Sequence, residues 1–140
     1  MAIETKYKKI IVSGKRKCAI AKAIIIGGNG KITINGKDSK NLSLLDSLRI
    51  EEPLRIADNI LGTRDYDVAI TVHGGGEKGQ NDASRLALAK SILAFSSENK
   101  DLEKAFTNYD RNLLVADVRR KEACKPGDSK ARSKRQSSKR

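Results

Sequence analysis

Residues Tyr66 to Ser96 read YDVAITVHGGGEKGQNDASRLALAKSILAFS. The opening run, Tyr66 to Val72, is rich in β-branched residues and predicts a strand. From Gln80 to Ser96 the period changes to that of a helix: Leu88, Ile92 and Phe95 form one stripe, and Ala83, Ala87 and Ala94 another, with Leu86 and Leu93 between them. Apolar coverage this wide predicts a helix buried on more than one side. A strand that runs through a glycine loop into a buried helix implies a sheet with that helix laid across it.

The loop between them, Gly74-Gly75-Gly76-Glu77-Lys78-Gly79, matches G-x-G-x-x-G through Gly74, Gly76 and Gly79. The wider context of a dinucleotide site is missing. No second parallel strand follows to carry an acidic residue for a ribose, because Glu98 and Asp101 lie in another helical stretch. A Walker loop fails as well, since Gln80-Asn81 stands where Lys-Ser/Thr would place a cation and a metal-binding hydroxyl. Two readings stay open: backbone amides at a helix start that favour a phosphate, including an RNA phosphate, or glycines that only make a turn. His73, the single histidine, has no His or Cys at ligand spacing and reads as a structural or surface residue.

Upstream, Tyr7 to Ser13 and Cys18 to Ile26 predict two strands, joined by a turn at Gly14-Lys15-Arg16-Lys17 with three consecutive cations. Lys31 to Asn35 alternates as a third strand, and the Gly27 to Gly30 turn before it predicts a hairpin, so three antiparallel strands are expected early. A short helical turn from Asn41 through Leu48 comes next. Pro53 is then expected as the first residue of a helix carrying Leu54, Ala57, Ile60 and Leu61, with Gly62 as the stop. Downstream, helices are expected over Glu98 to Phe106 and, after an Asp110 cap, over Arg111 to Ala116, with Leu113 to Val115 pinning the root of the tail. The expected fold class is α+β: a small sheet of about four strands with helices packed on one face.

The end of the chain differs in composition. Arg119 to Arg140 holds ten basic and two acidic residues among 22, which is +8 of the whole chain's +12. Its few apolar residues cannot bury enough surface to order it alone, so order must come from a polyanion. The chain therefore divides into a body, residues 1–118, with a charge of +4, and a basic tail, residues 119–140. Such segregation points to nucleic acid or an anionic membrane surface as partner. The plain alternatives are a solvated hairpin tip and a solubilising end. Aromatic residues make up 4% of the chain, which weighs against base stacking on aromatic platforms.

No stretch reads as a membrane span, because the longest apolar run, Ala19 to Ile26, contains Lys22. The N-terminus MAIETKYKKI has no apolar signal core, so the expected location is the cytoplasm. Cys18 and Cys124 are too far apart in sequence for a C-x-x-C metal pair and too few for a disulfide framework. No catalytic constellation and no cofactor site is expected.

Several motifs taken together resemble the universal small-subunit ribosomal protein nine family in its archaeal and eukaryotic form. Gly14-Lys15-Arg16-Lys17 with Ala19 and Ala21 is similar to the family's opening G-[KR]-R-K-x-A-x-A, and Gly28-Asn29-Gly30-Lys31-Ile32 through Asn35-Gly36 to its G-x-G-x-[IV]-x-[IV]-N-G. Gly74 to Gly76 with Gly79-Gln80 resembles its glycine-rich strand exit, and Ala83 to Ala94 its alanine-rich helix. Leu113-Leu114, Asp117-x-Arg119-Arg120-x-Glu122, Gly127, Lys130-Ala131-Arg132, Gln136 and Ser138-Lys139-Arg140 follow its C-terminal pattern. The chain departs at Ser137, where many members carry an aromatic.

The resemblance implies a structural, non-enzymatic component of the head of the small subunit, in the cytoplasm, with a left-handed βαβ crossover shared with a family of small-molecule kinases. Implied partners are small-subunit rRNA, P-site tRNA and neighbouring small-subunit ribosomal proteins, with no membrane, cofactor or small-molecule substrate. By position, Arg119, Arg120, Lys121, Lys125, Lys130, Arg132, Lys134 and Arg135 would contact rRNA, and Lys139 and Arg140 would reach tRNA. Lys15, Arg16, Lys17, Gly75 and Gly76 are further rRNA candidates. The alternative is a nucleotide-binding or small-molecule kinase-like domain using Gly74 to Gly79.

Overall fold

The computed structural model describes residues 9–127 and 130–133. Strand β1 (Ile10–Arg16) pairs antiparallel with β2 (Ala19–Gly27), Ile10 opposite Ile25 and Arg16 opposite Ala19. Gly14, Lys15 and Arg16 therefore belong to the strand, and the turn is only Lys17-Cys18, with Lys17 at φ 52°. Gly14 serves a different purpose from the expected one. A Cβ there would stand 2.4 Å from the Ala83 carbonyl oxygen and 2.7 Å from the Ala87 nitrogen, so the glycine lets a helix lie directly on the strand. Tyr7 and Lys8 of the expected first strand lie outside the described residues.

The expected hairpin from β2 to β3 (Ile32–Ile34) does not form. Strand β5 (Tyr66–His73) lies between them, antiparallel to β2 and parallel to β3, and the short β4 (Lys37–Asp38) borders β3, giving the order β1-β2-β5-β3-β4. The glycine segment crosses the start of β5 instead of turning back. Gly28 and Gly30 donate to the Asp65 and Tyr66 carbonyls, each at 3.1 Å, and the Asp67 carboxylate accepts from the Asn29 and Lys31 amides at 2.9 and 2.8 Å. These bonds carry the chain to the far side of β5, a pairing no local pattern encodes.

Helix α1 (Leu44–Leu61) makes the crossover from β4 to β5 and ends at Gly62. It is continuous through Pro53, which was expected to open a separate helix. Ile50, Pro53, Leu54 and Ala57 are buried at helical spacing, so one apolar face runs across the proline and outweighs the backbone hydrogen bond it removes.

Helix α2 (Glu77–Phe95) begins three residues before the expected Gln80 and is buried along most of its length from Asn81 to Ile92. Helix α3 (Lys100–Tyr109) is capped by Asn99, whose side chain accepts from the Asp101 amide at 2.9 Å. After it, the Asp110 carboxylate accepts from the Asn112 amide at 2.8 Å as expected, but it caps a single 3-10 turn, Arg111–Leu113. Leu113 is fully buried and anchors the root of the tail, while Val115 is exposed.

On β2 and β5 burial alternates: Ala19, Ala21, Ala23, Ile25, Tyr66, Val68, Ile70 and Val72 form the covered face, and Ile20, Lys22, Ala69 and Thr71 face outward. The helices share that covered face, and the fold is α+β with a five-stranded mixed sheet.

The close approach at Gly14 sets one expectation. Gly14→Ala forces α2 off β1 and should lower stability by about 1–3 kcal/mol, read as an earlier urea midpoint; an unchanged midpoint would show that the interface has slack.

Candidate nucleic-acid interface

Three features of the sequence meet at one end of the sheet: the β1–β2 turn, the glycine loop after β5, and the tail root. Alternation along β1 separates the turn's cations. Lys15 is exposed on the outward face, whereas Arg16 is directed to the covered face and only 19% of its side chain is accessible. There its guanidinium pairs with Asp117 at 2.7 Å and Asp82 at 3.5 Å, and Asp82 also binds Arg49 at 3.3 Å. Lys17 stays exposed, and its carbonyl accepts from Arg120 Nη1 at 2.5 Å. Through that bond the tail root lies on the turn. Arg16, Lys17, Cys18, Arg119, Arg120 and Lys121 line one concavity of about 520 Å³.

Asp117 is the anionic centre of this arrangement. It accepts from the Arg119 amide at 2.8 Å and from the Arg119 guanidinium at 2.6–3.1 Å. Those bonds, with the nearby charge of Arg16, hold its carboxyl well below the usual carboxylate range, and the Arg119 guanidinium is raised in return. Sequence reading placed Asp117 only within a motif; the informative signal was a carboxylate two residues before an arginine at the edge of a basic run.

The glycine loop packs against the same turn. Gly74 and Gly75 have φ of 74° and 64°, and a Cβ at Gly74 would stand 2.6 Å from the Cys18 carbonyl oxygen. Gly76 precedes α2 as its N-cap, is exposed, and has nothing within 4 Å of a Cβ position. The loop does not form a nucleotide cradle. Gly79 lies inside α2, Gln80 Nε2 donates to the Gly74 carbonyl at 3.1 Å, and Lys78 Nζ is held by Asp46 at 3.1 and 3.2 Å. The adjoining cavity of about 230 Å³ is lined by Lys37, Asp46 and Glu77 together with apolar and amide side chains, and Asp46 is already paired with Lys78.

Asp46 is itself 4% exposed and receives Ser43 Oγ at 2.6 Å and Asn81 Nδ2 at 2.7 Å. The Ser43 and Lys78 bonds lower its pKa against the opposing effect of burial. It ties the start of α1 to the start of α2.

Along the tail, Arg119, Arg120, Lys121, Lys125, Lys130 and Arg132 are all exposed, and Arg132 Nε binds Glu122 at 2.9 Å. Lys134, Arg135, Lys139 and Arg140 lie outside the described residues.

Residues 14–140 match the family model described as ribosomal protein S9/S16. The chain belongs to this family. It is 45% identical over 131 residues to the small ribosomal subunit protein uS9 of Thermoplasma volcanium, covering 92% of this chain and 96% of that protein. It is 47% identical to uS9 of Picrophilus torridus over the same shares, and 42% identical to uS9 of Methanococcus vannielii over 94% of this chain and 98% of that one. Membership makes it a structural component of the small ribosomal subunit, cytoplasmic as part of the ribosome, and not an enzyme. Ribosomal RNA and neighbouring ribosomal proteins are its partners by that membership. Among the described residues no helix is long and apolar enough to cross a membrane.

The Asp46 cluster yields a pH expectation. Its folded pKa lies below the ordinary 3.8, so its contribution is complete above that value and is lost as pH falls through the folded pKa. Asp46→Ala should cost about 1–3 kcal/mol at neutral pH and should narrow its gap to the parent on acidification. Chemical denaturation at neutral and acid pH checks this; a gap that widens in acid contradicts it.

Proposed function

We propose that residues 1–118 form a body that presents the basic tail, residues 119–140, as an arm, and that the two bind small-subunit rRNA along one continuous face. The observation that carries this reading is the bond from Arg120 to the Lys17 carbonyl, which joins cations more than a hundred positions apart in sequence. Lys15 and Lys17 meet phosphates beside the turn, with Arg16 behind them; Gly75 and Gly76 offer a close backbone approach to one more. Arg119, Arg120, Lys121, Lys125, Lys130, Arg132, Lys134 and Arg135 neutralise phosphates along the tail. Lys139 and Arg140, at the tip, reach the anticodon arm of P-site tRNA.

The mechanism is electrostatic and coupled to ordering. Lys and Arg release counterions from RNA, and the tail's polar composition leaves its order to be supplied by the RNA it touches. With the protein's cations between them, RNA helices that would otherwise repel can pack.

Binding through about six tail cations predicts a log-log salt slope on the order of −4 to −5. Deleting residues 129–140 should flatten that slope and release the protein from small subunits at lower salt. An unchanged slope and release point would contradict the assignment. Removing only Lys139 and Arg140 should leave incorporation intact and weaken retention of P-site tRNA; equal tRNA retention by mutant and parent subunits would remove the tip from the tRNA site.

A further inference from the structure

We propose that Asp117, braced by Arg16, is a positioning residue that sets the direction in which the basic tail leaves the body. The inference rests on the RNA-binding reading above, and it assigns to two residues a role other than phosphate contact.

A carboxylate at the threshold of a basic arm opposes RNA binding, since it adds repulsion to every nearby phosphate. Its presence calls for a compensating effect, and the geometry supplies one. Asp117 is 12% accessible and Arg16 is 19% accessible, so their 2.7 Å pair is shielded from the screening that weakens exposed bridges. The same carboxylate holds both the amide and the guanidinium of Arg119, and so fixes the backbone at the first residue of the tail. Arg16 in turn is anchored to Asp82 on α2, and Asp82 to Arg49 on α1. A single chain of charges thus runs from two helices through the end of β1 to the tail root. Arg120, the next residue, is thereby placed on the turn, where it donates to the Lys17 carbonyl.

A flexible arm with the same charge would engage the same number of phosphates from many directions. The braced arm enters from one. The difference lies in the ordering entropy met on binding, which pre-organisation reduces, and not in the count of ionic contacts.

The proposal and a purely electrostatic tail predict opposite signs for one substitution. Asp117→Asn keeps the shape and removes a negative charge close to RNA. Electrostatics alone makes binding tighter; the brace makes it weaker, by on the order of tenfold, with the salt slope unchanged because no phosphate contact is lost.

The measurement is release of the full-length protein from reconstituted small subunits across a salt series. It is joined to directed hydroxyl-radical cleavage of the rRNA from an iron chelate on the exposed Cys124, with Cys18→Ser in every protein so that one thiol reacts. Glu122→Gln is the charge control: it removes one carboxylate from the tail, in a side chain 59% exposed and paired, among the described residues, with Arg132 of the tail itself. The expected result is weaker retention and broadened cleavage for Asp117→Asn, with retention equal to or above the parent for Glu122→Gln. Arg16→Gln should reproduce the Asp117→Asn loss, and the double variant should be little worse than either.

Retention of Asp117→Asn equal to or above the parent, with focused cleavage, overturns the brace. So does an Arg16→Gln variant whose salt slope drops by about one while Asp117→Asn is unaffected, because that is the signature of a phosphate contact. Failure of the parent protein to enter the subunit would instead refute the RNA-binding reading on which the proposal stands.

Discussion

Helix α2 lies so close on β1 that position 14 has no room for a Cβ. Most of the molecule's arrangement depends on that contact. Gly14 meets the small face of α2 at Ala83 and Ala87, Ala19, Ala21 and Ala23 of β2 belong to the same core, and the close packing fixes the helix laterally on the sheet. With α2 fixed, Asp82 comes within reach of Arg16, and Asp46 can tie α1 to Asn81 and Lys78. Leu113, buried in the same core, then brings the chain back to the end of the sheet where the β1–β2 turn lies.

That end combines two kinds of electrostatics. Lys15 and Lys17 are exposed cations, and Arg120 is exposed as well while it bonds the Lys17 carbonyl. The shielded pair of Arg16 with Asp117, and the bond from Lys78 to the buried Asp46, hold the elements that carry those cations. Counting basic residues in the sequence merges the two groups. The glycine loop fits the same logic. Its lysine, Lys78, is held by Asp46 and its Gln80 side chain by the Gly74 carbonyl, so neither is turned to a small phosphate ligand, in keeping with a family of structural ribosomal proteins rather than enzymes.

Much of this was legible in the sequence, and the failures have specific causes. The strand at Tyr66, the buried α2, the Asp110 cap and the Gly62 stop were readable because each rests on local chemistry: alternation, helical stripes, a side chain that bonds its own neighbour, a glycine at a helix end. The β2–β3 hairpin was misread because Asp67, 38 positions from Asn29, decides where the glycine segment goes. Gly14 was misread as a turn because its role is room for Ala83, which no neighbour in sequence reveals. Pro53 was misread as a helix start because burial of its own face outweighs the local rule. On the interface, the basic clusters were legible and their convergence was not. Arg16 looked like Lys15 and Lys17, and only the pleat of β1 turns it toward Asp82 and Asp117.

The central claim is that the turn and the tail root form a single RNA-facing surface. Lysine-reactivity footprinting of the protein, free and within intact small subunits, tests it most directly. The account predicts that Lys15, Lys17, Lys121 and Lys125 lose reactivity together on assembly, and that they regain it together when the rRNA is digested. Lys17 and Lys121 as reactive in the subunit as in the free protein would contradict it.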